Sequence, residues 1–123
     1  MEFQSDKPIY LQIVDYVCEK IIHEEWTVDQ RISSVRELSA TIAVNPNTVM
    51  RSYEILERNG IIYNRRGIGF SVATGAKEKI RELIKDEFIE NELPRVFKKM
   101  QMLEISIQEI EVEFKKYLKN DKK

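Results

Sequence analysis

Apolar positions fall into blocks of differing period along this chain. Val14, Val17, Cys18, Ile21 and Ile22 mark a first helical stretch. Val35, Leu38 and Ile42 recur on one face of a helix of roughly two turns, and the pattern breaks at Ala43-Val44. Val49, Tyr53 and Leu56, four and three apart, define another helix. Ile61-Ile62-Tyr63 and Phe70-Ser71-Val72 are β-prone segments flanking Asn64-Arg65-Arg66-Gly67-Ile68-Gly69. Ile80, Leu83, Ile84 and Phe88 then share a helical face within residues 76–91. Beyond Pro94, where helices commonly end or begin, Val96, Met100, Leu103, Ile107, Ile110, Phe114 and Tyr117 are spaced 4-3-4-3-4-3, a heptad stripe. Phe97, Ile105, Val112 and Leu118 widen it.

Capping chemistry sharpens these boundaries. Ser34-Val35-Arg36-Glu37 has capping-box form, with serine accepting from a backbone N–H three residues on and glutamate reaching back. Asn45 is a good N-cap, and Pro46 fits the first helical position, where its missing N–H costs nothing. Asn59-Gly60 provides a left-handed helix end. Gly67 and Gly69 supply the positive φ that a tight hairpin demands. The predicted fold is mainly α with a small β-hairpin wing: a winged helix-turn-helix over residues 1–74, then two C-terminal helices over residues 75–123.

A helix-turn-helix places its second helix in the major groove, and a following ribbon can reach backbone or minor groove. Asn45, Asn47, Thr48, Arg51 and Ser52 fall near the exposed start of that second helix. Asparagine pairs bidentately with adenine, while threonine bonds a base or phosphate. Such a tetrapeptide is also simply a good helix start. The ribbon with Arg65-Arg66 at its tip favours a DNA-reading role over a solvated loop pair.

As a set, these motifs resemble the winged helix-turn-helix of GntR-family bacterial transcription regulators. Pro8-Ile9-Tyr10-Leu11-Gln12-Ile13 matches the family's opening helix. Ser34-Val35-Arg36-Glu37-Leu38, Asn45-Pro46-Asn47-Thr48-Val49, Leu56-Glu57-Arg58-Asn59-Gly60 and Arg65-Arg66-Gly67-Ile68-Gly69 follow in its order and spacing. The Asn-Pro-Asn-Thr turn and the short tail resemble the YtrA-like branch, which lacks a large effector domain. The resemblance covers residues 7–73 most strongly and implies DNA contacts at Arg36, Asn45, Asn47, Thr48, Arg51, Arg66 and Gly67. This chain departs from the pattern at Ser33 (usually proline), Asp29-Gln30 (commonly Gly-Asp), Met50 and Ile68 (often basic), and Phe70 (often threonine). Fewer charges on helix and wing imply weaker non-specific affinity.

Charge distribution matters more than its sum. The net charge is −1, which by itself does not suggest a DNA binder. Yet residues 31–72 carry six arginines against three acids, whereas the first thirty residues carry seven acids and two lysines. The basic part coincides with the expected reading head. One cysteine, Cys18, cannot form an internal disulfide and reads as core filler in a cytoplasmic protein. The polar N-terminus is unlike a signal peptide, and no apolar run approaches the roughly 20 residues that cross a bilayer, so no membrane role is expected. His23 is the only histidine, and neither metal-ligand spacing nor a phosphate-binding glycine loop accompanies it, so neither an enzyme nor a cofactor is expected.

The tail read as one helix of about 24 residues would span roughly 36 Å, longer than the face of a small head. Its stripe therefore calls for a partner, with a second copy of the chain as the simplest. The residues expected at this seam are Ile80, Leu83, Ile84, Phe88, Val96, Met100, Leu103, Ile107, Ile110, Phe114 and Tyr117. The expected protein is a homodimeric repressor on a double-stranded, inverted-repeat DNA operator. A winged-helix protein-interaction module is the competing reading. A small-molecule effector of unidentified chemistry would have to bind in the tail, at the dimer seam, or between tail and head.

Overall fold

The computed structural model describes residues 7–121, and the acidic Glu2 and Asp6 lie outside them. It divides into two compact units, one ending at Leu83 and the other beginning at Ile84.

The first unit contains α1 (Ile9–Ile22), α2 (Val35–Ile42), α3 (Pro46–Arg58), β1 (Ile62–Arg65), β2 (Gly69–Val72) and the first two turns of α4 (Ala76–Glu87). Its core is one cluster in which Ile13, Val17, Leu38, Val49, Tyr53, Leu56, Ile61 and Val72 are fully or almost fully buried. These are the residues that the helical and alternating patterns point inward. Ser34 accepts from the Glu37 N–H and Glu37 returns to the Ser34 N–H, completing the capping box. Asn45 caps α3, with Pro46 inside its first turn. Both helices end in a left-handed residue, Ala43 (φ 55) and Gly60 (φ 73). The next N–H closes a wide turn in each case: Val44 to the Ser39 carbonyl at 3.1 Å and Ile61 to the Leu56 carbonyl at 2.9 Å.

The strands pair antiparallel from Ile62↔Val72 to Arg65↔Gly69. The turn between them uses Gly67 (φ 82) and closes with Ile68 N–H on the Arg65 carbonyl at 2.9 Å. An edge absent from the sequence reading lies along β2. Asp29 N–H bonds to the Val72 carbonyl (2.8 Å), Val72 N–H to the Gln30 carbonyl (3.1 Å) and Ile32 N–H to the Phe70 carbonyl (2.9 Å). The approach to α2 is thereby stitched to the wing.

The head also extends past the expected boundary at residue 74. Ala76 and Ile80 belong to its core cluster, and Leu83 packs against it. Ile80 is 0% exposed, which corrects its assignment to a dimer seam: the side chain is already consumed within its own head.

The second unit comprises the end of α4, a π-helical turn Phe88–Glu92, α5 (Leu93–Leu103) and α6 (Ile107–Asp121). Pro94 does not interrupt the helix. It stands in the first turn of α5, after a π turn that bonds the Leu93 N–H to the Phe88 carbonyl. The interruption comes later, so the expected single helix through Tyr117 is corrected to two. Glu104 takes a left-handed conformation (φ 55), and Ile105 N–H closes on the Met100 carbonyl at 2.9 Å. Ser106 then caps α6 by accepting from the Glu109 N–H at 3.1 Å. The heptad stripe is split, with Val96, Met100 and Leu103 on α5 and Ile107, Ile110, Phe114 and Tyr117 on α6. Met100 is buried, whereas the other large apolar side chains of the stripe stay exposed, Leu103 at 60% and Ile107 at 61%. Among the described residues, no helix is long and apolar enough to cross a membrane, and no cluster of metal-ligating side chains occurs.

Candidate nucleic-acid interface

Three parts of the head carry the residues expected at DNA: the start of α2, the start of α3 and the wing tip. Arg36 occupies the second residue of α2, and its exposed side chain has no hydrogen bond or ion pair among the described residues. Asn47 and Arg66 are likewise exposed and unengaged through their side chains, hence available to a ligand. Thr48 is half-buried in the first turn of α3.

Two expected contacts are partly committed elsewhere. The Asn45 side-chain Oδ1 accepts the Asn47 N–H at 2.8 Å, leaving its Nδ2 donors without a hydrogen bond among the described residues. The Arg51 guanidinium lies 3.7 Å above the Tyr10 ring, a close cation–π stack that holds it beside α1. Ser52, read from the sequence as exposed, is fully buried. Its hydroxyl donates to the Tyr10 carbonyl at 2.7 Å and ties α3 to α1. It supports the interface from behind and cannot touch DNA.

The helix-turn-helix is braced at its entry as well. The Tyr53 hydroxyl, buried in the core, donates to the Ser33 carbonyl at 2.6 Å, so α3 holds the loop leading into α2. Burial raises the Tyr53 pKa and keeps the phenol protonated as that donor. Among the described residues no buried side-chain nitrogen or oxygen lacks a partner, so this bracing leaves no unsatisfied polar group in the core.

At the wing, Arg65, Arg66 and Gly67 are exposed, with Arg65 resting 5.5 Å from the Tyr63 ring centre. Gly67 has open space where a Cβ would stand, but φ 82 restricts most other residues there. Sequence reasoning missed Arg31. Its Nε donates to the Ile68 carbonyl at 3.0 Å, and its Nη2 donates to Glu37 at 3.1 Å. The Ser34 backbone N–H, helped by the Ser34 side chain and the Arg31 charge, holds the Glu37 carboxyl below the usual carboxylate range. A basic residue just before a capping box was the available signal.

A half-open apolar cavity of about 500 Å³ lies elsewhere in the head, lined by Ile21, Trp26, Val28, Val72 and Ala76. The Glu24–Lys77 ion pair, 2.6 Å apart, joins two further residues of its lining.

Comparison with known proteins matches this geometry to a family. Residues 9–72 match the model of "Bacterial regulatory proteins, gntR family". The HTH-type transcriptional regulator YhcF of Bacillus subtilis is 38% identical over 109 residues, covering 89% of this chain and 88% of YhcF. The B. subtilis HTH-type transcriptional repressor YtrA is 39% identical over 79 residues, covering 64% of this chain and 61% of YtrA. A GntR-family regulator from Bacteroides thetaiotaomicron has a similar crystal structure, at 44% identity and a TM-score of 0.81. That match covers 93% of this chain and 99% of the other. The DNA-binding domain of AraR, solved in complex with operator ORR3, matches with a TM-score of 0.54 at 27% identity, covering 59% of this chain and 86% of that domain. The chain therefore belongs to the GntR family and is a DNA-binding transcription regulator rather than an enzyme.

Proposed function

We propose that this regulator acts as a homodimeric repressor on an inverted-repeat operator. The observation that carries this is the tail. From Ile84 onward, Phe88, Val96, Phe97, Leu103, Ile107, Phe114 and Tyr117 are all exposed. Each such side chain, once buried, contributes about 1.5–3 kcal/mol, so a two-fold pairing through several of them outweighs the cost of association. The break at Glu104 leaves two short helices, neither too long for the head. It is the exposed apolar area of the tail that calls for a partner, and the buried Ile80 has no part in that seam.

In this reading, Arg36 and the start of α3, with Asn47 and Thr48, read base edges, while Arg65, Arg66 and Gly67 touch the flanking backbone or minor groove. Two-fold symmetry puts two such heads about one helical turn of DNA apart. Occupying a promoter excludes polymerase, and the operator as target puts the site of action in the cytoplasm. The relative named as the repressor YtrA supports repression by analogy. An effector has a place in the apolar cavity beside Trp26 as well as in the tail. Trp26 is the only tryptophan, so a change in its emission on adding a ligand would report occupancy.

Selection of bound duplexes from a random library at near-physiological salt tests the reading. An enriched inverted repeat, bound by a species of twice the chain mass, is the expected result. Enrichment of a single half-site would overturn the dimer. No enrichment, with weak binding lost as salt rises, would favour an interaction module instead.

A further inference from the structure

Arg31 joins the two parts of the interface that have to meet one duplex. The chain of bonds runs from the Ile68 carbonyl at the wing tip to Arg31 Nε (3.0 Å), then from Arg31 Nη2 to Glu37 Oε1 (3.1 Å). The same Glu37 oxygen accepts the Ser34 N–H at 3.1 Å, which is the cap of α2. Arg36 is the next residue after Val35 on that helix, so its position and that of the wing tip are linked through one guanidinium. The backbone on both sides is fixed too, by the Arg31↔Ser71 bridge and the Ile32 N–H bond to Phe70. Gly69 beside it has φ 114, a conformation that favours glycine, while a Cβ there would make only an ordinary 3.7 Å contact with Arg31 Nε.

Among the described residues, Arg31 alone bonds to the tip turn 66–68 through a side chain. The turn is otherwise closed by the Ile68 N–H to Arg65 bond and by the Arg65↔Gly69 strand pair. The base of the ribbon is held by residues 29–32, but beyond the Ile32 bond to Phe70 the tip has little support, and ordering it on DNA would cost conformational entropy. An exposed ion pair contributes little by itself. A guanidinium fork that fixes two elements acts instead by removing motion before binding.

We propose that Arg31 is a positioning residue, a latch that sets the reach of the wing relative to α2 so that Arg36 and Arg66 engage the duplex in one register. The inference rests on the reading above, in which helix starts and wing both touch DNA. It assigns Arg31 no contact with DNA, which distinguishes it from a further phosphate-binding arginine.

The test combines operator affinity with hydrogen exchange at the amides of residues 67–69 in the free protein. Arg66→Ala alone measures the contribution of the wing. Arg31→Ala should lose about as much affinity, and adding Arg66→Ala to it should cost at most about twofold more, because coupled residues are not additive. Glu37→Gln leaves the Arg31 charge in place and should still lose part of the wing's contribution. Arg31→Lys should resemble the alanine variant, since one ammonium cannot reproduce the planar fork. In the free protein, Arg31→Ala should speed exchange at the tip. Full additivity of Arg31→Ala and Arg66→Ala, or unchanged exchange at the tip, would overturn the latch. An Arg66→Ala variant that binds normally would instead sink the wing's role in DNA binding, and exchange at residues 67–69 would then decide the latch alone.

Discussion

The guanidinium of Arg51 stacks 3.7 Å above the ring of Tyr10. This pair joins the second turn of α3 to the first turn of α1, next to the Ser52–Tyr10 hydrogen bond. Tyr10 thus sets where Arg51 can deliver its charge. Replacing it with leucine keeps an apolar side chain and releases the arginine. Operator affinity measured by fluorescence anisotropy should fall about two- to fivefold, the equivalent of an exposed cation–π contact. The same substitution in an Arg51→Ala background should cost almost nothing. An equal cost in both backgrounds would mean that Tyr10 acts by another route.

Ala43 closes α2 in the left-handed region, where a Cβ is crowded by the neighbouring carbonyl. Ala43→Gly should raise the stability of the head by about 1 kcal/mol. Asp29 has a similar φ of 65, but its carboxylate accepts the Tyr63 hydroxyl at 2.8 Å. Relief at that site is offset by the lost bond, so Asp29→Gly should gain less. Urea unfolding of the two variants makes the comparison, and a larger gain for Asp29→Gly would reject it.

Cys18 is buried in α1, and burial, with smaller contributions from Asp15 and Glu19, pushes its thiol up to about 12. At neutral pH it is a thiol in both folded and unfolded states and leaves stability unchanged. Between the unfolded value near 9 and about 12, only the unfolded chain ionises. Stability should fall there with rising pH, by up to about 1.4 kcal/mol per unit from this group. Native protein at pH 8 should resist a thiol-specific alkylating reagent until denaturant is added. Rapid labelling of folded protein would instead reveal an accessible thiolate, as a redox-sensing cysteine requires.

Ile80 and Phe114 were expected to serve the same seam, and the structure separates them. Ile80→Ala removes a side chain from the head core and should destabilise the head by about 2–5 kcal/mol without changing the mass in solution. Phe114→Glu places a charge on an exposed apolar face. It should leave the thermal unfolding of the head unchanged while shifting sedimentation to the monomer. A Phe114→Glu protein that remained dimeric would place the seam elsewhere.

The break in the tail at Glu104 has a local signature in the sequence. Ser106-Ile107-Gln108-Glu109 has capping-box spacing, and Ser106 does cap α6. The heptad stripe from Val96 to Tyr117 suppressed that local signal because its spacing runs straight across the break. Glu104 itself gave no warning, since a glutamate at φ 55 takes the place usually left to glycine. Arg31 was only half legible: its place before the capping box suits a bond to Glu37, but Ile68 is 37 residues away, which no local pattern encodes.

Local chemistry in the chain determined where α2 and α3 start and stop, where the wing turns, and which side chains stand at their exposed ends. Ser34, Glu37, Asn45, Pro46, Gly60 and Gly67 each act within a few residues of themselves, so their effect can be read from spacing. Tertiary structure alone decided what those ends lean on. Ser52 became buried because α1 lies over it, and Ile80 entered the head core because α4 packs there. Arg31 came to hold the wing because β2 brings Ile68 back beside it. Those outcomes depend on contacts between residues far apart in the chain, and periodicity records only which face is apolar, never which surface covers it.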